Sequence, residues 1–81
     1  MEKRIAVIGI IIEEIVYAEY VNEILHNYNS IIIGRMGIPY RERGISVISL
    51  AVDADADTIS GLTGKLGKIS GVSVKAAISK K

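Results

Sequence analysis

Ile5 to Ile12 reads IAVIGIII, and the fold turns on how this run is taken. Successive side chains of an extended chain point to opposite faces. Ile5, Val7, Gly9 and Ile11 therefore look one way, and Ala6, Ile8, Ile10 and Ile12 the other. β-Branched residues are stiff at χ1 and fill a pleated surface well, so the run predicts a strand. Because both of its faces are apolar, this strand needs cover on two sides.

After Ile12 the period changes. From Glu13 to Tyr28, the residues Tyr17, Val21, Ile24, Leu25 and Tyr28 recur at helical spacing, with Glu19, Asn22, Glu23 and Asn27 opposite them, which predicts an amphipathic helix. Asn29 and Ser30 end it. Ile31 to Met36 predicts a second strand, with Ile31 and Ile33 set against Ile32, and Ile45 to Val52 predicts a third. Asp57 is the expected N-cap of a second helix, whose buried stripe is Ile59, Leu62, Leu66 and Ile69. Gly71 stops that helix. Val72, Val74, Ala76 and Ile78 then alternate with Ser73, Lys75, Ala77 and Ser79 in a last strand.

The order is βαββαβ, an α+β ferredoxin-like sandwich: one four-stranded antiparallel sheet with both helices on one face. Residues 1–81 leave room for a single domain, and a chain of this length hides only roughly 60% of its unfolded surface. Two helices cover one side of such a sheet and leave the other bare. Each isoleucine on the bare side would gain about 1.5–3 kcal/mol by leaving water, and contiguous patches of that kind mark association surfaces. We expect a homo-oligomer that buries the open sheet face, most simply about a two-fold axis.

Composition narrows the function. Ten basic and nine acidic residues leave a net charge of +1, too balanced for an affinity built on neutralising phosphates, so direct nucleic-acid binding is not expected. The absence of cysteine removes disulfides, thiolate metal sites and a cysteine nucleophile, and fits a reducing, cytoplasmic setting. MEKRIAVIGIIIEEI ends in Glu13 and Glu14 with no small-residue cleavage site, so it does not read as a signal peptide. No apolar run approaches the roughly 20 residues of a membrane span.

Familiar motifs fail on spacing. DADAD at Asp53 to Asp57 opens like a calcium loop, but Thr58 and Gly64 stand where glycine and a bidentate glutamate are needed. In GLTGKLGKISG, Gly61 and Gly64 are too close for a Walker loop, and Leu66 follows Lys65 where Ser or Thr belongs. Gly61-Leu-Thr-Gly64 has the form of a KH loop, yet the leucine stripe runs through it at helical period. These glycines then sit inside a helix, at about 1 kcal/mol each against alanine, with close packing as a reason to keep them. His26, the lone histidine, falls in the last turn of the first helix, where a cation meets the helix dipole favourably. No catalytic constellation or metal site emerges, the sequence names no cofactor, and no enzymatic activity is expected.

Gly34 to Gly44, GRMGIPYRERG, is the stretch with most to offer a ligand. Read as a connection stiffened by Pro39, it presents Arg35, Arg41 and Arg43 beside Met36 and Tyr40. One reading is a solvated turn. The other is a contact for a carboxylate, a phosphate or acids of another subunit. RNA-binding RRM domains share the βαββαβ order, but the third strand here, RGISVISLAV, has no aromatic for base stacking.

These residues also carry a resemblance. Ile59, Leu62, Leu66, Ile69, Gly71, Val72 and Val74 are similar to the close of ACT-type regulatory domains. Over nearly the whole chain, RIAVIGIII, VNEIL, IIIGRMGIPYRERGISVISLAVDAD and LTGKLGKISGVSVK resemble the small stand-alone proteins named as regulators of the iron-only hydrogenase system. The resemblance implies an ACT-like fold, oligomerisation and a regulatory role beside hydrogenase maturation, with no established ligand. More distantly, the chain is similar to the C-terminal domain of nickel-responsive repressors. Their histidine and cysteine ligands are replaced here by Ser46, Ile48 and Leu50, so nickel sensing is not implied. Amino-acid-binding ACT domains use a glycine-bearing turn after the first strand, where this chain has Ile10-Ile11-Ile12-Glu13-Glu14.

The expectation is a non-enzymatic regulatory or ligand-sensing oligomer, with Arg35 to Arg43 as the contact for an effector or a maturation partner. The alternative is a protein-interaction module without a small ligand. Lacking a helix-turn-helix, either would reach DNA only through another protein.

Overall fold

The computed structural model describes residues 2–81. Strand β1 (Lys3–Ile12) leads through a 3-10 turn, Ile15–Tyr17, into helix α1 (Ala18–Asn27). Strand β2 (Ile32–Tyr40), a turn at Arg41–Arg43 and strand β3 (Ile45–Asp55) follow, then helix α2 (Ala56–Gly67) and strand β4 (Val72–Ile78). The sheet order is β2-β3-β1-β4 with every neighbouring pair antiparallel, the ferredoxin-like arrangement. The apolar run opening the chain thus lies at an inner position of the sheet, with the helices covering one of its two apolar faces.

The core is the helix-covered side of that sheet. Ala6, Ile8, Ile10 and Ile12 of β1 meet Ile48, Leu50, Val52 and Ala54 of β3 under Val21 and Leu25 of α1 and Ile59, Leu62 and Leu66 of α2. Among the described residues no polar or charged side chain is buried. Ile69, just past the end of α2, and Val72 and Val74 of the edge strand β4 are only partly buried against this core, and Ala76 and Ile78 are exposed.

Three sequence expectations need correction. Strand β2 continues past the expected end at Met36 to Tyr40, so Gly37 to Tyr40 is strand rather than connection. Proline lacks a donor and is excluded from central strands, but β2 is an edge, and Pro39 sits there opposite Ser46. The true connection is short: Gly44 N–H donates to Arg41 C=O at 3.1 Å and closes the turn in a left-handed conformation, φ 65°. Second, the cap of α2 is Asp55 rather than Asp57; its Oδ1 accepts from Thr58 N–H at 2.7 Å. Alternation carries β3 two residues beyond the acid at 53, since Ala54 is buried between exposed-side neighbours. Third, α1 proper starts at Ala18, and Ile15 and Val16 of the preceding turn are exposed.

The glycines of α2 differ in what surrounds them. A Cβ on Gly61 would meet the Tyr28 hydroxyl at 3.3 Å, so α1 approaches α2 there, whereas one on Gly64 would meet nothing within 4 Å. Gly64→Ala should therefore raise the stability of the chain by about 1 kcal/mol, roughly 4–8 °C in melting temperature. Gly71→Ala should lower it. Gly71 is left-handed at φ 73°, and an added Cβ would fall 2.6 Å from Glu14 Oε2. Thermal melts followed by circular dichroism give both signs; a Gly64→Ala variant that melts lower would mean something packs on that face.

Candidate functional site

The side of the sheet away from the helices is bare and greasy. Register and alternation place Ile5, Val7 and Ile11 of β1 there with Val47 and Ala51 of β3, Met36, Ile38 and Tyr40 of β2, and Ala77 of β4. All of the larger ones are exposed, Val7 to 50% of its surface. Their neighbours one position along β1 are buried, Ile8 at 0%. Rows run straight across the sheet: Ile38, Val47, Ile11 and Ser73 form one, and Gly34, Ala51, Val7 and Ala77 another.

Between those two rows lies Met36, Ser49, Gly9 and Lys75, a row with almost no bulk at its centre. The result is a hollow of about 240 Å³ lined by Gly9, Ile11, Val47, Ser73 and Lys75. Ser73 donates its hydroxyl to Glu13 Oε1 at 2.9 Å, which fixes one wall. The single ion pair among the described residues joins Arg4 to Glu2 at 3.7 Å, so Asp53 and Lys75, both on this face, have no charged partner within the described chain. A second hollow, of about 460 Å³, lies between Ser60, Gly64 and Gly67 of α2 and Val72 and Val74 of β4.

The five residues expected as a contact are not gathered into one pocket. Arg35 pairs with Leu50 in register and so lies on the helix side, where its Nη2 donates to Asn22 Oδ1 of α1 at 3.1 Å. Met36 and Tyr40 point to the open face. Arg41 and Arg43 stand exposed in the turn at the end of the hairpin. Alternation along a strand forces this split, which a loop would not have done. Tyr40 adjoins the turn arginines in the chain, Met36 lies four residues back along β2 on the open face, and Arg35 belongs to another surface.

Asp55 has its carboxyl held below the usual range, chiefly because Thr58 N–H donates to it and then because the Thr58 side chain does, as a helix cap should. No group of three or more His, Cys, Asp or Glu among the described residues is placed to hold a metal ion. No helix among them is long and apolar enough to cross a membrane. Sequence reasoning passed over Gly9. The signal was present, a lone glycine inside a β-branched strand, but the hollow forms only once Val47 of β3 and Ser73 and Lys75 of β4 are brought alongside it.

Comparison with known proteins places the chain in context. The family model described as "TM1266-like: Iron-only hydrogenase system regulator, putative" matches residues 4–76. A solved structure of the uncharacterized protein TM1266 from Thermotoga maritima is 45% identical in sequence, covers 98% of this chain with 100% of its own, and superposes with a TM-score of 0.92. No curated protein matches.

Proposed function

We propose, from the premise that the chain belongs to the TM1266-like family of iron-only hydrogenase system regulators, that it works as a non-enzymatic regulatory domain, a homo-oligomer assembled through its open sheet face. The observation that carries this reading is the bare apolar side of β1 and β3, where Val7, Ile11 and Val47 are exposed on strands whose alternate residues form the core. The residues 1–81 act as one domain. The hairpin end, with Tyr40, Arg41 and Arg43, is the contact for a small anionic effector or for acids of a maturation partner, with Met36 farther along the open face and Arg35 a secondary contact on the helix side. An effector bound there changes assembly or partner affinity through contacts that differ between the two states.

A second reading, a protein-interaction module with no small ligand, draws support from the geometry of the arginines. Arg41 and Arg43 project from an exposed turn and Arg35 from the opposite face, so the three guanidinium groups do not converge as a small anion would require. Two measurements test these readings, and the second separates them. Sedimentation velocity should find an oligomer, and a chain that stays monomeric at high concentration would remove the basis of both. Thermal-shift screening of amino acids, nucleotides and inorganic anions, repeated on Arg41→Ala, should give a shift abolished by the substitution if the domain senses a ligand. No shift in either protein favours the interaction module.

A further inference from the structure

Gly9 has no internal reason to be glycine. Strand β1 pairs without interruption on both sides of it, so there is no bulge. Its φ is not positive, and an added Cβ would meet only Lys75 C=O at 3.9 Å, an ordinary contact. Glycine inside a strand weakens it, and where neither bend nor bulge explains it the residue marks a place where something approaches closely from outside. What approaches must come to the open face, because Gly9 lies in register there between Ser49 and Lys75.

The size and lining of the hollow choose among occupants. At about 240 Å³ it is smaller than the roughly 300–1,000 Å³ of pockets that enclose drug-sized ligands. Ile11, Val47 and Val74 in its lining are aliphatic, beside Ser73 and Lys75, which suits a hydrocarbon side chain rather than a nucleotide. Charge points the same way. The face carries an acid, Asp53, and a base, Lys75, displaced along the strands and both unpaired among the described residues, so a face turned onto a copy of itself can set each against its complement. Four strands about 4.8 Å apart and seven residues at about 3.4 Å give a face of roughly 19 by 24 Å. That is on the order of 450 Å² per copy, about 900 Å² for the pair before side-chain relief, below the roughly 1,200–2,000 Å² of standard specific interfaces. A flat contact of that area would be weak, and interdigitation is what deepens it.

We infer that the hollow over Gly9 is the seat for aliphatic side chains of a second copy's open face, and that Gly9 is kept small so that two sheets can close on each other. This deepens, and rests on, the oligomeric reading above. The test is sedimentation velocity across a wide concentration range on the wild-type chain, Gly9→Leu, Gly9→Ala and Val7→Lys, each checked by circular dichroism. Gly9→Leu fills the seat, and its dissociation constant should rise about 10- to 100-fold, the cost typical of overpacking. Gly9→Ala, which any strand accepts, should show a smaller rise and keeps the test decisive if leucine perturbs folding. Wild-type affinity in both Gly9 variants, with Val7→Lys monomeric, overturns the seat and leaves the oligomer standing. A monomeric wild-type chain, or an oligomer indifferent to Val7→Lys, overturns both.

Discussion

Val7→Lys is expected to turn the assembly into monomers while leaving each chain folded. Val7 lies on the open face in the row next to that of Gly9, opposite Ala51 on one side and Ala77 on the other. Half of its surface is exposed in the single chain, so a lysine there can lift its ammonium into water at little cost. In a closed pair of sheets the same ammonium has no such exit. An uncompensated buried charge costs about 3–5 kcal/mol, which corresponds to roughly 100- to 1,000-fold in dissociation constant. Sedimentation should show the monomer at concentrations where the wild-type chain is associated, with an unchanged far-ultraviolet spectrum. Glu23→Lys, on the outer side of α1, changes charge at an exposed site away from the sheet and should sediment like wild type. If Val7→Lys also does so, the open face is not the interface.

How much of this was legible in the sequence depends on what each residue has to signal with. The central strand could be read because β-branching and two-sided apolarity leave few alternatives for Ile5 to Ile12. The helix stripes could be read because Val21 and Leu25, and Ile59, Leu62 and Leu66, keep a period that only one packed face satisfies. Pro39 misled because proline signals a break by its missing donor, and only topology reveals that β2 is an edge where the donor is not needed. The cap slipped because DADAD offers acids at alternate positions, and the choice between Asp55 and Asp57 is made by where β3 stops pairing with β1, at Lys3 opposite Asp55. The contact region was misjudged for a related reason. Treated as a loop, Arg35 and Met36 are neighbours; as strand residues they face opposite sides, and Arg35 is drawn to Asn22.

Ile8→Ala, one residue along from Val7, is expected to do the reverse: it should cost the fold rather than the assembly. Ile8 is 0% exposed and lies on the central strand, opposite Leu50 of β3 and Ala76 of β4, under the helices. Truncating a buried isoleucine loses its transfer free energy and leaves a cavity, together about 2–5 kcal/mol. A domain of this length has only about 4–12 kcal/mol in all. The melting temperature should fall by roughly 10–30 °C, and by a similar amount at every protein concentration, because the loss is internal to each chain. For Val7→Lys the fall in melting temperature should instead track concentration, large where the wild-type chain is associated and small where it is not, since only the stabilisation lent by association is removed. Adjacent residues thus differ in kind: the loss at Ile8 is independent of concentration, and the loss at Val7 follows it. That contrast is a direct consequence of period-two alternation on a sheet with helices on one side, and equal concentration dependence for the two variants would mean that the two faces of β1 are not divided between core and interface.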